Sequence, residues 1–295
     1  MKLRYSEAFY SVQGEGRWVG VPSLFLRVFG CNFECAGFGQ ERGKLIPVEE
    51  MPYNTDERAD PKHEIAYKSI EELPVTPIGC DSSASWSKKY KHLQMTKTPE
   101  EVFEHLVSLL PDGTFEGRHG EDIHLVITGG EPLLGWQRVW PSLLSMCKEI
   151  GLKNVTFETN ATQLVKEDLI NYFNSPEGED IHVTWSTSPK LSLSGEKTED
   201  ALKPESLISM NQVINSYLYN KFVVRDIEDF AEVDMFVQAY KDARIILDAV
   251  YCMPEGATFE QQTLTEKDVA EACMQTGYKF SPRLHINLFG NAWGT

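Results

Sequence analysis

Short apolar runs alternate with segments of helical periodicity along nearly the whole chain, and this alternation restricts the fold more than any other feature. Strands are read at 22–30 (PSLFLRVFG), 122–128 (DIHLVIT), 154–159 (NVTFET), 181–188 (IHVTWSTS), 219–224 (YNKFVV), 244–253 (RIILDAVYCM) and 282–289 (PRLHINLF). Helical patterns occupy 98–110, 133–150, 163–174, 205–217, 227–241 and 265–277. In the first of these, Thr98 and Glu101 form a capping box and Pro99 takes the first helical position. Pro141 should kink or split the second, and Gly151 suits its C-terminal cap. Strands that alternate with helices build a mostly parallel sheet. The expected fold is therefore α/β, an incomplete TIM-type barrel of about six parallel strands, with an open doubly wound sheet as the alternative.

Both architectures place their sites at strand C-terminal ends. The chemically capable residues sit at such ends: Cys31, 129–131, 158–160, 186–190, 224–225 and 253–256. One active site on one face is expected. The chain reads as a single domain, 1–295, interrupted by the charged, proline-bearing stretch 36–79, which lacks clear periodicity. A loop this long normally signals function or disorder. It is read as an insertion with a short helix or hairpin of its own.

Composition narrows function by exclusion. Hydrophobic residues make up 41% of the chain and charged ones 24%, as in soluble globular proteins. The formal charge of -16 argues against direct nucleic-acid binding, which requires a basic surface. No apolar run approaches the ~20 residues of a membrane span, and MKLRYSEAFYSVQGEG lacks the apolar core of a secretory signal. A cytoplasmic location is expected, where cysteine clusters more often bind metal than pair.

Of the six cysteines, Cys147, Cys252 and Cys273 fall in packing patterns. Cys31 and Cys35 form a C-x3-C pair, which alone is equally read as structural thiols or half a zinc site. Position 38, where a tight loop would carry a third ligand, is Phe; Cys80 in CDSSASW must return across 36–79. Three thiolates on a four-iron cluster would leave one iron open to bind and reduce a cofactor.

The other motifs are each ambiguous alone. In TGGEP (128–132), Gly129 and Gly130 allow a ligand to approach the backbone, and Glu131 can accept hydrogen bonds from an ammonium. Taken singly, this is an ordinary strand-to-helix turn. FETNAT (157–162) and STSPK (186–190) are ordinary turns or caps taken singly; together they could hold the carboxylate and ribose of S-adenosylmethionine. In YSVQGEG, Gln13 and Glu15 offer partners for the edge of a heterocycle, or the segment is an exposed turn. Arg27 lies inside the apolar LFLRVFG and needs a partner. That partner is either an internal carboxylate or the carboxylate of a substrate held bidentately.

On SVQGEG, Arg27, Cys31, Cys35, CDS, TGGEP, ETN, SPK, KFVV, MPEG and SPRLHINLFGN, the chain resembles the 7-carboxy-7-deazaguanine synthases, a radical S-adenosylmethionine family. The resemblance spans residues 10 to 291, excepting the insert. It implies a lyase that converts 6-carboxy-5,6,7,8-tetrahydropterin to 7-carboxy-7-deazaguanine with loss of ammonia, on the route to queuosine. It implies a [4Fe-4S] cluster, S-adenosylmethionine and Mg2+ as cofactors, an electron donor such as flavodoxin, and a homodimer. By position, Cys31, Cys35 and Cys80 would ligate the cluster. Ser82, where the family has Thr, would ligate magnesium. Gly79, Asp81, Gly130, Glu131, Glu158, Asn160, Ser188, Pro189 and Lys190 would border S-adenosylmethionine. Val12, Gln13, Gly14, Glu15, Arg27, Thr128 and Thr295 would contact the pterin, with Trp293 to Thr295 closing the pocket. The alternatives are a radical enzyme of the activase type, a cluster-bearing relative that acts as an interaction protein through 36–79, and a zinc-binding α/β domain.

Overall fold

The computed structural model describes residues 1–295. Its strands are β1 (Leu3–Val12), β2 (Pro22–Val28), β3 (Met95–Lys97), β4 (His124–Gly129), β5 (Asn154–Thr159), β6 (His182–Thr187), β7 (Ser216–Val224), β8 (Ala249–Pro254) and β9 (Lys279–Phe280). They form one 9-stranded sheet in the order β3-β1-β2-β4-β5-β6-β7-β8-β9. All pairings from β2 onward through β9 are parallel. At the other edge β1 runs antiparallel to both β2 and β3.

The parallel core matches the alternation in the sequence. The edge strand β1 does not announce itself, because buried Ser6 and Glu7 interrupt its apolar residues. Side chains alternate across the sheet. Leu24, Leu26, Leu125, Ile127, Val155, Phe157, Val183 and Trp185 point into the main core beneath the helices. The intervening positions face the other way. There Phe9, Phe25 and Val126 form a separate small cluster, and the row Glu7, Arg27, Thr128 runs across paired strands.

Local signals explain most helix boundaries. The helix Pro99–Leu109 begins with the full Thr98–Glu101 capping box. Pro141 lies in the first turn of Trp140–Glu149 instead of kinking a longer helix, because a proline without an N–H is best accommodated there. Three expectations are corrected. Residues 282–289 are not a strand; after the short β9 they form the helix Leu284–Phe289, ended by Gly290 at φ 66. Pro282 has no N–H to donate to a ladder, and Ile286 alone in that helix is buried. The strand expected from 244 begins at Ala249, after a left-handed Arg244 (φ 59). The helix expected over 205–217 is Pro204–Met210, and Ser216 already belongs to β7.

Residues 36–79 contain short 3-10 turns and one α turn, Pro52–Thr55, and no hairpin. Met51, Tyr53, Ala59, Tyr67, Ile70 and Leu73 form their own core with Ala84 and Tyr90. Arg42 anchors the segment to Asp229 (2.6 Å) and Asp226 (3.1 Å), just past the end of β7. Gly39 N–H donates to Glu255 beyond β8 (2.8 Å). Gly79 N–H donates to the Phe38 carbonyl (2.7 Å), which closes the neck of the segment. No helix of the chain is long and apolar enough to cross a membrane.

Candidate active site

A cavity opens at the C-terminal ends of the parallel strands, bounded by the 12–15 turn, the two sides of the 36–79 neck and the chain end. Its floor is the polar row of the inner sheet face. From β2, Arg27 donates Nε–H to Glu7 (2.7 Å) and Nη1–H to the Ser82 hydroxyl (3.0 Å). From β4, Thr128 donates its hydroxyl to Glu158 at the end of β5 (3.1 Å), and Gln13 donates its amide to the other Glu158 oxygen (3.1 Å).

Two buried cations complete the floor. Lys221 Nζ, from β7, lies 2.6 Å from Glu15 and 3.7 Å from Glu158. Arg283 reaches Glu15 (3.0 Å) and Asp81 (2.6 Å) and also donates to the Gly256 carbonyl. Burial favours the neutral form of each acid, but the cations outweigh it: Glu15 is held far below the usual carboxylate range by Lys221 and Arg283. Asp81 is lowered by Arg283 in the same way. Burial works against charge on Lys221 too, yet Glu15 and Glu158 hold it above an ordinary amine. Burial raises the Glu7 carboxyl in spite of Arg27.

Val12, Gln13, Gly14, Glu15, Arg27, Thr128 and Thr295, the residues expected to contact a pterin, all line this cavity. So do Gly79, Asp81, Ser82, Gly130, Glu158, Asn160, Ser188 and Lys190. Pro189 and Glu131 do not. Glu131 is fully buried, accepting from Thr159 Oγ1 (2.8 Å), Asn160 N–H (2.8 Å) and Leu133 N–H (3.0 Å), and burial pushes its carboxyl to about 6. It fixes the turn. The glycines before it are required by neighbouring backbone: a Cβ on Gly129, at φ 116, would lie 2.3 Å from the Val28 carbonyl, and one on Gly130 2.1 Å from that of Gly30.

Cys31, Cys35 and Cys80 also line the cavity, but no group of three or more His, Cys, Asp or Glu side chains is disposed to hold a metal ion. The expected iron–sulfur cluster, the S-adenosylmethionine bound at its open iron and the magnesium at Ser82 are corrected on this finding, as is the zinc alternative. Burial drives the Cys31 thiol up to about 12, Cys35 well above its ordinary value, and Cys80 upward as well. The Ser82 hydroxyl is already engaged, accepting from Arg27 and donating to Asp81 (3.3 Å).

Sequence reasoning missed Glu7, Lys221, Arg283 and His285, all of which line the cavity. Lys221 had a usable signal: a lysine inside NKFVV needs a partner for the reason already applied to Arg27.

The buried histidines make acid stability testable. Burial lowers His124 and His285 to about 4. An unfolded imidazole titrates near ~6.5, so the unfolded chain takes up these protons first. Their contribution is present above pH ~6.5 and lost as pH falls toward 4; buried Glu131 opposes this over a narrower window. Replacing His124, which stacks edge-on with Trp18 (4.4 Å), by Phe should shrink the stability difference between pH 7 and pH 5 by about 2 kcal/mol. Urea midpoints at the two pH values measure this.

No protein-family model matches the chain. It is 27% identical to the 7-carboxy-7-deazaguanine synthase of Halobacterium salinarum, over 98% of this chain and 91% of that one. It is also 27% identical to the synthase of Pyrobaculum aerophilum, over 99% and 97%. The crystal structure of QueE from Escherichia coli aligns with a TM-score of 0.53 at 19% identity, covering 97% of this chain and 95% of that one. That likeness is one of fold, a mixed α/β sheet resembling a partial barrel. Along almost its full length, then, this chain is similar to several 7-carboxy-7-deazaguanine synthases, on a sheet that gathers its motifs around one cavity.

Proposed function

We propose that this protein converts 6-carboxy-5,6,7,8-tetrahydropterin to 7-carboxy-7-deazaguanine with loss of ammonia. Similarity to the 7-carboxy-7-deazaguanine synthases supports enzymatic activity of their kind and a role in the queuosine pathway in general. The conversion loses one ammonia and is otherwise redox-neutral.

The observation that carries the reading is that one cavity offers both a guanidinium edge and a set of acceptors. Arg27 has Nε and Nη1 occupied by Glu7 and Ser82, which leaves the Nη2 side for an incoming carboxylate. Glu15, Glu158 and Gln13 gather around Lys221 in the same cavity. A carboxypterin has the complementary arrangement: a carboxylate at one end and the N–H-rich edge of an aminopyrimidinone at the other. Lys221 and Arg283 keep Glu15 ionised, so it accepts hydrogen bonds from that edge. The chain's own residues thus bind the substrate at both ends, fix its orientation and exclude water around it.

Complementation tests this reading. In cells that lack their own 7-carboxy-7-deazaguanine synthase, expression of this chain should restore queuosine in transfer RNA. Absence of queuosine, in cells where supplied 7-carboxy-7-deazaguanine does restore it, would refute the assignment.

A further inference from the structure

The last residues of the chain return over the cavity. Asn291 donates its side-chain amide to the Ala257 carbonyl (3.1 Å), and Gly294 N–H donates to Glu7 Oε2 (2.8 Å). Between these two anchors, Trp293 lines the cavity and also packs against the small core built by 36–79. Its ring centroid lies 5.6 Å from the Arg27 guanidinium carbon, within cation–π range. Phe9 lies at 6.0 Å from the same carbon.

We propose that Trp293 is a positioning residue for Arg27: with Phe9 it holds the guanidinium so that Nη2 faces the cavity, and it thereby sets the preference for a ligand that carries a carboxylate. This rests on the function proposed above and identifies what enforces its carboxylate selectivity. The main chain beside Trp293 acts on the same ion pair, since Glu7 accepts from both Arg27 Nε and Gly294 N. The ring and the backbone of the tail therefore register on one cation. Because Trp293 also packs against the 36–79 core, that segment touches the residue that positions Arg27.

The test measures dissociation constants calorimetrically for 6-carboxytetrahydropterin and for tetrahydropterin without the carboxylate. The proteins are the wild type, Trp293→Leu, Trp293→Phe and Arg27→Met with and without Trp293→Leu. Circular dichroism checks folding. Leucine keeps an apolar side chain and removes the π face. Trp293→Leu should weaken the carboxylated ligand about tenfold and the other ligand less than about threefold, while Trp293→Phe stays near wild type. In the Arg27→Met background Trp293→Leu should change neither constant, because the cation it acts through is gone. Equal losses on both ligands, wild-type affinity in Trp293→Leu, or an undiminished effect without Arg27 would each overturn the inference while leaving the proposed function standing. A wild type that binds neither ligand, or shows no preference, overturns the proposed function and this inference with it.

Discussion

Replacing Lys221 by methionine should lower the unfolding free energy by about 3–5 kcal/mol, the usual cost of removing one partner from a buried ion pair. The Lys221 side chain is only 4% exposed, and it serves two carboxylates, Glu15 and Glu158. Without it Glu15 retains Arg283, while Glu158 retains only the neutral donors Gln13 and Thr128. Methionine fills similar volume, so the loss reports charge and not a void. The pH dependence follows from the direction of the Glu15 shift. Its carboxyl is depressed in the folded state, so the stabilisation is present above the unfolded carboxylate value near ~4.3 and fades as pH falls. Lys221→Met should therefore differ most from the wild type at neutral pH and approach it in acid. Urea unfolding at pH 7 and pH 4 checks this. Adding Glu158→Gln to Lys221→Met should recover part of the loss, because it removes the less compensated charge. A single variant within about 1 kcal/mol of wild type at pH 7 would show that the network is not stabilising.

How far such a network can be anticipated depends on where each partner lies along the chain. The parallel strands were legible because full burial on both faces leaves continuous apolar runs. Arg27 was legible because one cation inside such a run demands an explanation. Glu7 was not, since β1 mixes Ser6 and Glu7 with apolar residues and pairs only at the antiparallel edge. Arg283 and His285 were hidden for another reason. Their segment alternates like a strand, and only the fold shows Leu284–Phe289 as a helix seated against Gly14, where a Cβ would lie 2.1 Å from the His285 ring. The cysteines show the converse limit. Cys31, Cys35 and Cys80 do reach one cavity, but spacing carries no information on how the side chains are disposed there, and no group of three is disposed to hold a metal ion. The first residues of 36–79 are tied down by Gly39, Gln40 and Arg42 reaching the β7 and β8 ends. These are contacts between residues about two hundred positions apart, which no local pattern encodes.

Arg27→Met should weaken binding of 6-carboxytetrahydropterin by about 2–5 kcal/mol, a loss of roughly thirtyfold to several-thousandfold. It should also abolish complementation. Arg27→Lys should recover little of either, because the two donors fixed on Glu7 and Ser82 and the third offered to the ligand belong to one rigid fork that an ammonium cannot reproduce. The variant carries a second signature. Glu7 is 3% exposed, and its carboxyl is already raised by burial with Arg27 beside it. Removing the guanidinium leaves Gly294 N–H as its remaining partner, so the folded-state value rises further. A raised carboxyl costs stability as pH climbs from the unfolded value near ~4.3 through the folded one. The stability deficit of Arg27→Met should thus be small in acid and grow toward neutral pH. Glu7→Gln added to Arg27→Met should restore neutral-pH stability and leave ligand binding lost, which separates the two roles of the guanidinium. If the double variant regained binding along with stability, Arg27 would be a structural partner of Glu7 alone, and the carboxylate end of the ligand would have to lie elsewhere in the cavity.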